Sequence, residues 1–105
     1  MDPEFDELKR EFLVEADAKV SEIEGLLAPA GKLNLDRMGY LAHQLKGAGG
    51  SYGFSAISRE AAELENVLEI LGQDSNRDES TELQRRIDNL HSEISQRQRE
   101  LAQAS

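Results

Sequence analysis

The chemistry-bearing residues of this chain lie together in the segment Ala42-His43-Gln44-Leu45-Lys46-Gly47-Ala48-Gly49-Gly50-Ser51-Tyr52-Gly53-Phe54. An imidazole, with an ordinary pKa of about 6.5, is a good nucleophile near neutral pH. Lys46, three residues after His43, can meet an anionic group attached to that ring as a mobile point charge. The pairing suits a phosphoryl group carried on nitrogen. Helical spacing puts His43, Lys46 and Gly47 on one side of a helix, away from a stripe of Met38, Ala42 and Leu45. Gly47, one turn after His43, leaves bare backbone where a second protein would approach the ring. Gly39, Gly47, Gly49 and Gly50 all fall in this helix, each costing about 1 kcal/mol relative to alanine. Their sum of roughly 4 kcal/mol is large beside a domain stability of about 5–15 kcal/mol, so something must offset it. Gly49 falls on the apolar stripe and suits close helix packing; Gly47 does not.

The elements that must position these residues read as helices throughout. Leu8, Phe12, Leu13, Ala16, Val20, Ile23 and Leu27 recur at three- and four-residue steps, predicting a first helix from about residue 6 to 28. Ala28-Pro29-Ala30-Gly31 breaks it, and Asn34 is placed to cap a second helix that runs to about residue 51. After Gly53 and Phe54, Ser55 is expected to cap a third helix striped by Ile57, Ala61, Leu64, Leu68 and Leu71. A polar stretch from Gly72 to Glu79 precedes a fourth, from about 79 to 102, striped by Leu83, Ile87, Leu90, Ile94 and Leu101. Glu82/Arg86 and Glu93/Arg97 are spaced as ion pairs for the exposed face of that helix. No useful stretch alternates with period two. The predicted fold is therefore all-α, an antiparallel up-down-up-down four-helix bundle. Residues 1–5 read as a cloning-site remnant, residues 6–102 as the domain, and 103–105 as a frayed end.

Composition narrows the function. A chain of 105 residues with 38% hydrophobic content suffices for one core. With no cysteine, and two histidines far apart in sequence, neither a disulfide framework nor a zinc motif is expected, and no metal or cofactor is assigned to the chain. No apolar run approaches the roughly 18 residues of a membrane span, so the chain reads as soluble and cytoplasmic. An excess of 21 acidic over 12 basic residues, net charge -9, repels nucleic acid and anionic lipid.

His43-Gln44-Leu45-Lys46-Gly47, followed by Gly53-Phe54, resembles the H-x-L-K-G-x5-G-F signature of histidine-containing phosphotransfer (HPt) domains. The resemblance extends over nearly the whole chain, since that family is a four-helix bundle. It implies that His43 accepts the phosphoryl group on Nε2, that Lys46 stabilises it, and that Gly47 leaves room for the partner. It also implies that a polar residue twenty-two positions after the histidine, here Glu65, holds Nδ1. Such domains often have glutamine there, whereas the phosphoryl-carrying domain of chemotaxis kinases has glutamate. Glu65 flanks the Leu64–Leu68 stripe and could face the neighbouring helix; a solvated glutamate among Glu60, Glu63 and Glu69 is the other reading.

The implied activity is a monomeric phosphocarrier between receiver-domain aspartates in a two-component phosphorelay, with Mg2+ supplied by the receiver. Its expected partners are a response-regulator receiver domain or a hybrid histidine kinase. An excised phosphoryl-accepting module of a chemotaxis-type kinase and a docking module without transfer are the alternatives. Sensor kinases typically carry an acid directly after their histidine and threonine or asparagine four residues on, where this chain has Gln44 and Gly47. Gln44 cannot take a proton and Gly47 cannot orient a nucleophile, so kinase activity from ATP is not expected. His91, with no glycine or lysine nearby, reads as a boundary or surface residue. Tyr52 and Phe54 are expected to plug the bundle end, while Tyr40 and Leu41 are candidates for an apolar docking patch beside His43.

Overall fold

Apolar stripes at helical spacing produce four helices, in a computed structural model that describes residues 3–27, 34–74 and 80–104. The first, α1 (Pro3–Gly25), buries Phe12, Leu13, Ala16, Val20 and Ile23. Pro3 opens it, where a missing N–H removes only a donor that has no intrahelical partner. Residues 3–5 are thus helical, and the Phe5 ring lies 6.0 Å from that of Tyr52. The helix ends short of residue 28. Leu26 N–H is shared between the Glu22 and Ile23 carbonyls and Leu27 N–H donates to Glu24, tightening the final turn. The expected break at residues 28–31 lies outside the described residues.

Asn34 caps α2 (Leu35–Ser51), its side chain accepting from Arg37 N–H at 3.2 Å. The buried face comprises Met38, Leu41, Ala42, Leu45 and Gly49. Leu41 therefore belongs to the core and not to a surface patch: it stands one turn from both Met38 and Leu45 and widens their stripe.

The connection to α3 (Ser55–Gln73) is a Schellman turn. Phe54 N–H donates to the Gly49 carbonyl at 2.8 Å and Gly53 N–H to that of Gly50 at 3.1 Å, with Gly53 at φ +81°. Ser55, expected as a cap, is instead the first helical residue. Phe54 holds the cap position with no side-chain hydrogen bond, because the glycine turn already directs the chain into α3. Tyr52 and Phe54 both stack on Phe12, at 5.1 and 5.8 Å between centroids, as a bundle-end plug.

The last helix, α4 (Ser80–Ala104), buries Leu83, Ile87, Leu90 and Ile94 and continues past the expected end at residue 102. Residues 75–79, most of the expected polar stretch, lie outside the described residues. Each helix packs on its neighbours in sequence, α4 closes the ring against α1, and among the described residues no diagonal pair brings its backbones close together. That is the antiparallel up-down-up-down bundle, a rod of 50 × 21 × 18 Å. Among the described residues every fully buried side chain is apolar, and no helix is long and apolar enough to cross a membrane. Arg86, expected on an exposed face, instead lies in the α3–α4 seam, 3.2 Å from Glu60 and 2.9 Å from Glu82. Long side chains at helix boundaries bury their stems while the charge finds partners on both helices.

Candidate functional site

Gly49 governs how closely α2 and α3 approach. A Cβ there would lie 3.3 Å from Ser58 N and 3.4 Å from Ile57 Cγ2. Ser58 Oγ donates across the same seam to the Lys46 carbonyl at 2.8 Å. With two antiparallel helices locked at this point, Glu65, two turns further along α3, comes level with His43. Its Oε2 is 3.3 Å from His43 Nδ1, and Lys46 Nζ is 3.0 Å from its Oε1. One carboxylate therefore serves both residues. The lysine contact is an ion pair without hydrogen-bond alignment. The other acids of α3 separate: Glu60 and Glu63 turn toward Arg86 on α4, and Glu69 remains exposed.

His43 stands midway along α2 on the flank of the rod, its side chain 70% exposed. A carboxylate can only accept, so the Glu65 contact assigns the ring proton to Nδ1. The lone pair is then on Nε2, at the opposite side of the ring. Gly39 and Gly47 lie one turn before and after His43, and a Cβ on either would meet nothing within 4 Å. Packing does not require these two glycines, and neither has a positive φ. They clear the helix surface on both sides of the imidazole.

Tyr40, one turn before His43, is 54% exposed yet held at several points. Its hydroxyl accepts from Gln44 Nε2 at 2.8 Å, and the Arg37 guanidinium lies 5.6 Å from its ring centroid. Arg37 is itself tied to Glu22 on α1 by hydrogen bonds of 2.6 and 3.0 Å. Those bonds hold the Glu22 carboxyl below its ordinary range and raise the guanidinium.

The second histidine is built differently. His91 is 29% exposed in the α1–α4 seam, with Nδ1 3.5 Å from Asp17 and Nε2 3.3 Å from Glu24. Both nitrogens face carboxylates, so neither is open to an incoming electrophile. Among the described residues no group of three or more His, Asp or Glu is placed to hold a metal ion.

Sequence reasoning placed His43, Lys46, Gly47 and Glu65 in the site, and the structure brings all four together. It did not anticipate the Lys46–Glu65 pair, which depends on inter-helix register. The flanking role of Gly39 and the bracing of Tyr40 by Arg37 and Gln44 were also missed, although their three- and four-residue spacings were a usable signal. The cluster combines a one-sided imidazole, a nearby ammonium and a carboxylate that can face positive charge, an arrangement able to exchange a phosphoryl group on nitrogen. A protein-family model described as the Hpt domain matches residues 7–99. No curated protein and no solved structure matches the chain.

Proposed function

Because the chain belongs to the Hpt domain family, whose members carry phosphoryl groups on histidine in phosphorelays, we propose that His43 is its phosphoacceptor and exchanges with receiver-domain aspartates. The observation that carries this reading is the asymmetry of the His43 ring: Nδ1 faces Glu65 at 3.3 Å while the exposed side chain leaves Nε2 open between two cleared turns.

In the forward step the Nε2 lone pair attacks the phosphorus of an aspartyl phosphate. The N–P bond forms as the P–O bond to the aspartate breaks, and the carboxylate leaves with that bonding pair. The ring keeps its Nδ1 proton and becomes a phosphorylated imidazolium, whose positive charge faces Glu65. Lys46, 3.0 Å from Glu65 in the resting protein, turns its ammonium to the phosphoryl oxygens. The receiver supplies the aspartate and its own Mg2+. Return of the group to a second receiver reverses each bond change. Positioning and electrostatics suffice for such a transfer, and the domain behaves as a substrate more than a catalyst. The relay takes place in the cytoplasm.

Incubation with a phosphorylated receiver domain tests the reading. The protein should acquire an acid-labile, base-stable phosphate that His43→Gln abolishes and His91→Gln does not. Label persisting in the His43 variant would refute the assignment.

A further inference from the structure

A donor that transfers phosphorus to Nε2 must come into van der Waals contact with the surface around His43. A standard interface buries about 800 Å² on each partner, a patch of roughly 16 Å radius. A residue three positions earlier on the same helix lies about 5–6 Å away between Cβ atoms. Tyr40 is therefore well inside any footprint centred on the ring. Of the large apolar side chains exposed among the described residues, Phe5, Leu8 and Val14 are on α1, and Tyr40 alone shares a helix with His43.

Its immobilisation is the informative feature. An exposed tyrosine ordinarily samples several rotamers, yet this ring has Gln44 on its hydroxyl and Arg37 against its face, with Arg37 anchored on α1. Ordering that a partner would otherwise impose on binding is already present. Tyrosine is enriched among the few residues near the centre of an interface that carry most of its binding energy. Gly39 beside it adds no side chain, leaving the ring prominent.

We infer that Tyr40 is the docking anchor for the receiver domain, its ring entering an apolar recess next to the receiver's phosphorylated aspartate. This rests on the reading that His43 exchanges with receivers. Charge argues against a second copy of the chain as the occupant. Asp36 and Glu69 are exposed in a groove beside Gly39, the nearby cations Arg37 and Lys46 are already paired with Glu22 and Glu65, and the protein carries a net charge of -9, so two copies would oppose like charges. The recess is accordingly rimmed by basic residues.

The test uses two phosphoryl donors, a phosphorylated receiver domain and the small molecule phosphoramidate, which needs no docking. Tyr40→Ala should slow transfer from the receiver at least tenfold, chiefly through a higher KM for the receiver, and leave labelling by phosphoramidate unchanged. Tyr40→Phe, which keeps the ring, should stay within about threefold of wild type. Unchanged receiver transfer in Tyr40→Ala, or equal slowing with both donors, would overturn the anchor alone. Failure of the wild-type protein to exchange with any receiver while phosphoramidate labels His43 would overturn the receiver reading and the anchor with it. A wild-type dimer dissociated by Tyr40→Ala in sedimentation would make a second copy the occupant and refute the inference.

Discussion

At the residue scale, the glycines of one short segment perform three separate physical tasks. Gly47 meets nothing, Gly49 permits close helix approach, and Gly53 adopts a positive φ. Replacing each should therefore have a different consequence. Gly47→Gln exchanges a poor helix former for a better one in open space, so the melting temperature should hold or rise. The new side chain stands one turn from the imidazole, and transfer should slow at least tenfold, about 1.4 kcal/mol of barrier. Lost stability with unchanged transfer would contradict the open placement of that residue. Gly53→Ala must place a Cβ in the left-handed region, costing about 1–2 kcal/mol. Urea unfolding should show that loss, while phosphoramidate labelling of His43 in the folded protein stays intact.

At the element scale, charged side chains tie the helices together where the apolar stripes end. The α1–α2 seam is the least extensive of the four and is bridged by Glu22 and Arg37. On α4, Glu82 is bound by Arg85 and Arg86, and Arg86 continues to Glu60 on α3. Hydrogen bonds from Arg37 hold Glu22, and those from Arg85 and then Arg86 hold Glu82, below the ordinary carboxylate value of 4.5. A depressed folded pKa contributes stability above the unfolded value and loses it as pH falls through the folded one. The stabilisation these pairs contribute should thus be fully present above about pH 5 and decline below about 4.5, lowering the melting temperature in acid. Glu22→Gln and Glu82→Gln should each make that decline shallower; slopes identical to wild type would show that these pairs do not couple protonation to folding.

At the scale of the whole molecule, closing four antiparallel helices into a ring puts His43 on the flank of a rod, accessible along its length. Members of this family are carriers, not kinases, and the surroundings of His43 agree with that role. The Gln44 amide is engaged with the Tyr40 hydroxyl at 2.8 Å and has no basic site to take a proton, while Gly47 has no side chain to orient a nucleophile. Purified protein mixed with ATP and Mg2+ should remain unlabelled over hours. Autophosphorylation in a preparation free of contaminating kinase would disprove this.

What could be read from the amino-acid sequence was whatever depends on neighbours within one helix. Amphipathic stripes dictated the helices, and His43, Lys46 and Gly47 share a face because three- and four-residue steps return to it. The Asn34 cap is local in the same way. Features that depend on how one helix meets another required the tertiary structure. Glu65 could equally have been a solvated acid until the α2–α3 register, set where Gly49 meets Ser58, brought it to His43 and Lys46. Leu41 joined the core because α2 buries a face wider than the Met38–Ala42–Leu45 stripe, and Arg86 joined the α3–α4 seam because Glu60 of α3 stands opposite it. Ser55 lost its expected cap role to the turn geometry of Gly53. The two histidines separate for the same reason: helix spacing leaves one nitrogen of His43 open and turns both nitrogens of His91 toward carboxylates of α1.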